Sequence, residues 1–355
     1  MRNLPCRRPA LNLAVTLALC GALLVTACAN APPPQAVASP SLLADALFAP
    51  QAQPFDPQSL FTLDEPMLAY LRLSLPRLRL GNDNRRALMR ALFEQNELKL
   101  RYDGGQTRTA AEAFAARAGN CLSLVIMTAA FAKHLELPVA YRSVAVPDTY
   151  SRSGELYMAS GHVNLVLGPP PIKTTYSTDQ RVWLTVDFLP QEDLGQQRVT
   201  PLSEATIVAM YLNNRAAESL TDNQVDQAYG WARQAVLQDP TLAAAVNTLA
   251  VVYQRAGHLA QAEAALRHVL AADPVNTAAM SNLVGLLSRT GRAQESAALA
   301  QRLAQLQPVA PFHHFKLGRQ AMAQGDLAAA QEHLEAELRL QPYQDEVHFW
   351  LAQLH

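Results

Sequence analysis

The sequence predicts an α+β domain with an antiparallel sheet, followed by an all-α array of helical repeats. Two observations lead to this fold class. Between residues 59 and 200, helical patterns give way to alternating, strand-like runs, and in the C-terminal half prolines recur every 34 residues. The length of 355 residues has room for two domains of ordinary size.

Composition narrows the classes of function. The chain is 50% hydrophobic and 17% charged, as globular proteins are. Its formal net charge of −1 argues against a nucleic-acid partner, because such a partner favours a basic face. The sequence contains no glycine-rich phosphate loop, CxxC pair or HExxH motif, so it predicts neither a cofactor nor a metal site.

The first 27 residues are typical of a secretory signal peptide. Three arginines precede the apolar run Leu11–Val25, which is shorter than the ~20 residues of a spanning helix. The run continues into "LLVTAC", which resembles the lipobox of bacterial lipoproteins. That resemblance implies cleavage before Cys28, lipidation of Cys28 and, since Ala29 rather than Asp follows, an outer-membrane anchor facing the periplasm. An ordinary signal peptide with a chance cysteine is the alternative.

Residues 28–58 are rich in Pro and Ala and carry little charge. This composition predicts a tether that holds the domains off the membrane. Within it, Leu42–Phe48 is expected to form a short helical turn.

The domain predicted at residues 59–200 begins with helices and continues with strands. Helices are expected at Glu65–Leu75, Asp83–Leu98, Ala110–Arg117 and from Cys121 to His134. Thr109 and Glu112 form a capping box for the third of these, and Gly119 is expected to stop it. Strands are expected at Val139–Val146, His162–Leu167 and Val182–Phe188.

The C-terminal region has a period of 34 residues, seen at Pro240, Pro274, Pro308 and Pro342. Gly257, Gly291 and Gly325 repeat with the same spacing, and Asn223 occupies the equivalent place upstream. This period is the signature of tetratricopeptide repeats. The predicted units are 207–240, 241–274, 275–308 and 309–342, with a closing helix at 343–355. Such arrays bind protein or peptide partners on an extended concave surface.

Cys121 is the one cysteine that stays free if Cys28 is lipidated and the signal peptide is removed. Gly119 and Asn120 place it in the first turn of a helix, where free backbone N–H groups and the helix dipole favour a thiolate and could hold an oxyanion. The alternative is a buried structural cysteine in an apolar helix.

A nucleophilic thiol needs a base that a third group orients. His162 begins one predicted strand and Asp187 lies near the end of another, so pairing of the two strands would place them side by side. Taken singly, His162 is as well explained as a surface strand residue and Asp187 as a turn-forming acid. One Cys, one His and one Asp are few ligands for a metal.

Three segments resemble the core motifs of the transglutaminase-like superfamily: "GNC" opening a helix, "GHVNLVL" starting a strand and "WLTVDFLP" ending another. The resemblance covers Tyr102–Pro190 and implies a papain-like core, with a helix packed on an antiparallel sheet. It also implies that Cys121 is the nucleophile, His162 the general base and then acid, and Asp187 the orienting carboxylate. Many members carry a tryptophan shortly after the histidine, where this chain has Asn164.

The function predicted from the sequence is a membrane-anchored periplasmic thiol hydrolase or acyltransferase. It would attack an amide through a Cys thioester, in a peptidase-like reaction, and its repeats would recruit protein partners. The alternative is a non-catalytic envelope adaptor that binds partners through the repeats, with a scaffold-only first domain. A third interpretation treats the first domain as a binder of glycan or peptidoglycan peptide.

Overall fold

The computed structural model describes residues 42–50, 55–78, 83–93, 98–153, 156–169, 182–188, 198–309, 311–340 and 345–354. The chain divides into Met1–Val37 and Ala38–His355, and every described residue belongs to the second unit. The predicted signal peptide and Cys28 lie outside the described residues. Within those residues, no helix combines the length and apolar composition needed to cross a membrane.

The first domain is built around one buried helix. Its helices are α1 (Glu65–Leu78), α2 (Asn84–Phe93), α3 (Ala110–Ala116) and α4 (Cys121–His134). In α4 the run from Leu122 to Ala132 is buried without interruption, whereas Cys121 at its N-terminus is partly exposed. The apolar sequence of α4 therefore forms the centre of the core and leaves its first residue accessible.

An antiparallel sheet packs against α4. Its strands β3 (Val139–Ser153), β4 (Leu156–Leu167), β5 (Leu184–Val186) and β6 (Val199–Leu202) follow β1 (Arg101–Tyr102) and β2 (Ala118–Gly119), a separate short parallel pair. The order in the sheet is β5–β4–β3–β6, and every neighbouring pair is antiparallel. The expected antiparallel sheet is present, but β6 was not predicted, because this short and largely exposed segment contains Pro201 and shows no alternation.

Three helices differ in their ends from the sequence prediction. α2 spans Asn84–Phe93, where the prediction ran from Asp83 to Leu98. α1 continues to Leu78 with Pro76 in its last turn, where the prediction ended at Leu75 before this helix-breaking residue. α3 ends at Ala116 because Arg117 adopts a left-handed φ of 48°. Gly119, which was expected to stop α3, lies in β2 instead.

In the described part of the C-terminal region, helices form four antiparallel pairs and a closing helix. The pairs are α5 (Glu204–Thr221) with α6 (Val225–Gln238), α7 (Ala243–Arg255) with α8 (Leu259–Ala272), α9 (Thr277–Arg289) with α10 (Ala293–Leu306) and α11 (His313–Ala323) with α12 (Leu327–Leu340), followed by α13 (Asp345–Ala352). The first pair starts at Glu204, before the predicted Ile207, because Ser203 caps it by accepting a hydrogen bond from the backbone of Thr206.

The turn inside each pair occupies the position that the 34-residue period predicted. Gly257, Gly291 and Gly325 have φ between 76° and 82°, and Asn223, in the equivalent place, has φ 58°. Glycine, and after it asparagine, are the residues that adopt this left-handed conformation at least cost. The equivalence of Asn223 with the glycines is therefore confirmed.

The first domain and the first three repeats share one hydrophobic core. A single cluster of buried side chains runs from Leu60 through α4 to Leu287 of the third repeat. At the junction, α5 packs on α4 and β3, and the Tyr141 hydroxyl donates a hydrogen bond of 3.1 Å to Glu204. The regions predicted as residues 59–200 and 207–355 are thus joined by packing.

The described part of the predicted tether also lies against the protein. Residues 42–50 and Phe55, called the strap below, contact α6 and α7, and Asp45–Leu47 forms a 3-10 turn within the expected Leu42–Phe48. The composition of residues 28–58 predicted a tether without contacts to the domains. Composition does not indicate that aromatic and charged side chains of the repeats bind the strap.

Candidate functional site

Cys121 stands at the N-terminus of α4, as the sequence predicted. Asn120 precedes the helix as its cap, and its side-chain oxygen accepts hydrogen bonds from the backbone N–H of Ser123 at 2.9 Å and from the Ser123 hydroxyl at 2.8 Å. The first-turn N–H groups of a helix lack partners within the helix and carry the positive end of its dipole. Backbone N–H groups at this helix start can therefore bind an oxyanion beside Cys121.

A close backbone approach holds this helix start in place. A Cβ atom on Gly119 would lie only 2.7 Å from the Cβ of Ser123, so the turn before Cys121 requires glycine. Gly119 lies in β2, which pairs in parallel with β1 through Tyr102. Its function is to let β2 pass directly beside the first turn of α4.

His162 and Asp187 meet because β4 and β5 pair. The register places Leu165 opposite Val186, so the residues before Leu165 in β4 run alongside the residues after Val186. The Nε2 atom of His162 lies 2.7 Å from Oδ1 of Asp187. Both side chains are almost fully buried, with 4% and 6% of their surfaces exposed.

Cys121 acts on the same imidazole, because its thiol is among the groups that raise the pKa of His162, so the structure brings the three predicted residues together. Because Nε2 meets the carboxylate, Nδ1 is the ring nitrogen left to meet the thiol. Burial alone would lower the pKa of His162, but hydrogen bonds to Asp187 and Cys121 and the charges of both partners raise this pKa to about 9. The imidazole therefore carries a proton at neutral pH.

Asn164 completes the arrangement. Its side-chain amide donates a hydrogen bond of 2.7 Å to Oδ2 of Asp187, the oxygen that His162 does not contact. Each of the two carboxylate oxygens of Asp187 therefore has a hydrogen-bond partner. The sequence marked Asn164 as a departure from the superfamily pattern and gave it no function; its period-2 relation to His162 was the available signal.

Thr107 connects the Cys121 helix to the first repeat. Its hydroxyl oxygen accepts hydrogen bonds from the side-chain amides of Asn120, at 2.9 Å, and Asn214 of α5, at 3.1 Å. The backbone N–H of Thr107 donates to Glu218 at 2.6 Å. This junction was not predicted from the sequence, because Asn214 and Glu218 lie 107 and 111 residues from Thr107 along the chain.

The cap, the thiol, the imidazole and the carboxylate form one connected site. It can hold a proton on His162, orient the ring through Asp187 and present the Cys121 sulfur at a helix N-terminus. In the described part of the chain, no group of three or more His, Cys, Asp or Glu residues is arranged to hold a metal ion.

Comparison with known proteins concerns the C-terminal region. The sequence pattern of the tetratricopeptide repeat family matches residues 247–311 and 315–355. The C-terminal region consists of tetratricopeptide repeats. These matches lie within the second to fourth helix pairs and the closing helix of the structure. The resemblance of Tyr102–Pro190 to the transglutaminase-like superfamily, and that of "LLVTAC" to a lipobox, stay hypotheses from the sequence.

Several solved structures are similar to part of the chain. One, from the functional characterisation of pilF of Pseudomonas aeruginosa, is 28% identical, with 42% of this chain and 68% of that chain covered and a TM-score of 0.29. A protein of Thermus thermophilus, described as a thermophilic TPR protein, is 16% identical, with coverages of 41% and 80% and a TM-score of 0.29. YrrB, described as a TPR protein with an unusual peptide-binding site, is 18% identical, with coverages of 41% and 75% and a TM-score of 0.27. No curated protein matches the chain closely enough to count as a relative.

Proposed function

We propose that the protein is an adaptor whose tetratricopeptide repeats hold protein or peptide partners. The family match over residues 247–311 and 315–355 is the observation that carries this proposal. Stacked helix pairs leave an extended surface that is larger than a single pair could offer, and such arrays use it for binding.

The first helices of neighbouring repeats carry polar side chains suited to contact a partner. Asn282 of α9 donates a hydrogen bond of 3.0 Å to Asn247 of α7, and both side chains are half-buried. Each amide keeps donors and acceptors beyond this bond. They can therefore bind the main chain of a peptide laid along these helices.

Affinity capture with the full chain tests the adaptor function. Replacing both amides, Asn247→Ala with Asn282→Ala, is expected to reduce the recovery of bound proteins, while Gln301→Ala, an exposed amide on α10, serves as the matched control. Cys121→Ala should keep these proteins bound. If the double variant captures the same proteins as wild type in the same amounts, these helices are not the binding surface.

A second function, thiol-dependent cleavage or transfer at an amide, is favoured by the contacts among Cys121, His162 and Asp187. The protonated imidazole stabilises a thiolate at Cys121, whose sulfur attacks the amide carbonyl carbon. The C–N bond then breaks, and His162 gives its proton to the leaving amine, leaving a thioester. Water would release a carboxylic acid and restore the thiol, whereas a second amine would form a new amide.

An amide-mimicking electrophile tests this second function. Native full chain should be labelled at Cys121, and His162→Gln should lower the rate of labelling, because the imidazolium partner is lost. Cys121→Ala provides the blank. If the native protein is not labelled while the unfolded protein is labelled well, the first domain is a scaffold.

We also propose that Cys28 is lipidated and anchors the protein to the outer membrane, facing the periplasm. The proposal is supported by the apolar run Leu11–Val25 followed by "TAC". Cys28→Ala should move the protein from the membrane fraction to the soluble periplasmic fraction. Continued sedimentation of this variant with membranes would contradict the anchor.

A further inference from the structure

The strap lies on the repeats in the manner of a bound peptide. Its described regular structure is of the 3-10 type, at Leu42 and in the three-residue turn Asp45–Leu47, which buries no residue. Its order therefore comes from the surface beneath it. That surface, the strap face, is formed by side chains of α5, α6 and α7 and the turn after α7: Tyr211, Asp226, Tyr229, Trp231, Arg233, Gln234, Tyr253 and His258.

Two tyrosines of the strap face bind the main chain of the strap. The Tyr253 hydroxyl donates to the carbonyl of Leu42 at 2.8 Å and accepts from the N–H of Ala44 at 3.0 Å. The Tyr229 hydroxyl also accepts from the N–H of Ala44, at 3.0 Å. These contacts are made to the main chain of the strap and not to its side chains.

Further along the strap, two polar side chains bind its backbone N–H groups. Asp226 accepts from the N–H of Ala49 at 3.0 Å, and Gln234 accepts from the N–H of Phe55 at 2.6 Å. Main-chain contacts thus recur from one end of the strap to the other, as they do for bound peptides.

Two further contacts are specific for particular side chains of the strap. Arg233 binds the carboxylate of Asp45 in a fork, Nε to Oδ1 at 2.7 Å and Nη2 to Oδ2 at 3.0 Å, and Tyr229 adds a bond of 2.7 Å to Oδ1. The ring of Phe48 stacks on Tyr229 with 3.9 Å between centroids and 5° between planes. A bidentate guanidinium–carboxylate pair and a stacked ring both require a particular partner group.

We propose that the strap face is a peptide-recognition surface of the repeats, which takes a partner segment that forms a 3-10 turn, with a carboxylate at the start of the turn and an aromatic ring three residues later. In this structure the chain's own Asp45 and Phe48 occupy it as an intramolecular ligand. This proposal rests on the adaptor function and names one binding surface and one ligand chemistry for it. The observations that support it are the contacts of the strap.

The exposure of the strap explains how a partner could replace it. The Asp45 side chain is 58% exposed, and the hydrophobic residues of the strap are only partly buried. Because the strap belongs to the same chain, it competes at an effective concentration in the millimolar range. A partner peptide must therefore bind more weakly to the wild-type chain than to a chain whose strap cannot dock.

Fluorescence anisotropy with a labelled peptide of residues 41–55, "SLLADALFAPQAQPF", tests the proposal. The full chain carrying Asp45→Ala and Phe48→Ala should bind this peptide at least about tenfold more tightly than wild type. A control peptide with the same two replacements should bind to neither. Adding Arg233→Ala to the double variant should weaken binding of the native peptide about tenfold or more, because the carboxylate loses its fork.

Equal binding of the native and control peptides to the double variant would overturn the proposal. So would a failure of the native peptide to bind the double variant. Circular dichroism establishes that the double variant is folded; if it is not, Phe48→Ala alone, which keeps the Asp45 fork, provides the same comparison. The adaptor function is tested separately by Asn247 and Asn282. If those replacements still release captured proteins while the strap peptide fails to bind, only the strap-face proposal is lost.

Discussion

At the scale of single residues, the arrangement around Asp187 shows what the sequence could predict. Alternation in two strands was enough to expect His162 beside Asp187, and the structure has them 2.7 Å apart. The second carboxylate partner, Asn164, was missed, since a pattern of strand residues does not say which side chains hydrogen-bond across a sheet. The hydrogen bond from Asn164 gives a physical reason for an amide in the region where many members of the superfamily that the sequence resembles carry a tryptophan.

Gly119→Ala tests the close approach before Cys121. The new Cβ would lie 2.7 Å from the Cβ of Ser123, so the start of α4 must shift, and the free energy of unfolding should fall by about 1–3 kcal/mol. Gly161→Ala is the matched control, because this glycine precedes His162 and has nothing within 4 Å of the added Cβ. Urea denaturation measures both. An unchanged unfolding free energy for Gly119→Ala would mean that the turn does not require glycine.

At the scale of elements, the repeats were predictable because each turn depends on its own residues. The left-handed conformation at Asn223, Gly257, Gly291 and Gly325 favours a short list of residue types, and this preference is visible as a period of 34. Strand β6 and the strap were not predictable in this way. Both are ordered by partners far along the chain: β6 pairs with Tyr141, and the strap contacts Tyr229.

Two glycines in the repeats should respond oppositely to alanine. Gly257 has φ 82°, which strains any side chain, so Gly257→Ala should lower the free energy of unfolding by about 1 kcal/mol or more. Gly285 lies inside α9 with an ordinary helical backbone and open space around it, so Gly285→Ala should raise this free energy by about 0.5–1 kcal/mol. Thermal unfolding measures both. A loss of stability for Gly285→Ala as large as that for Gly257→Ala would contradict the assigned turn.

At the scale of the whole molecule, the first repeat supports the first domain. Composition and periodicity predicted two regions but not their shared core, because packing between distant segments leaves no local pattern. The structure joins them through Thr107, which contacts Asn120 next to Cys121 as well as Asn214 and Glu218 of α5. Glu218 is half-buried, and this burial raises its pKa, while the hydrogen bond from the backbone of Thr107 opposes that rise.

Thr107→Val tests this junction. Valine fills nearly the same space but leaves the amides of Asn120 and Asn214 without their shared acceptor, so the free energy of unfolding should fall by about 1–3 kcal/mol. Thr107→Ser keeps the hydroxyl and should cost less than the valine variant. Equal losses for the two variants, measured by urea denaturation, would show that packing and not hydrogen bonding holds the junction.

The contact of Cys121 and Asp187 with one imidazole is the central claim, and the titration of His162 tests it most directly. NMR of histidine-labelled full chain, with His162→Gln to assign the signal, should give a pKa of about 9 for His162. Because both partners raise this value, Cys121→Ala and Asp187→Asn should each lower it. A pKa for His162 near the ordinary histidine value of about 6.5, unchanged by either substitution, would contradict the assembled site.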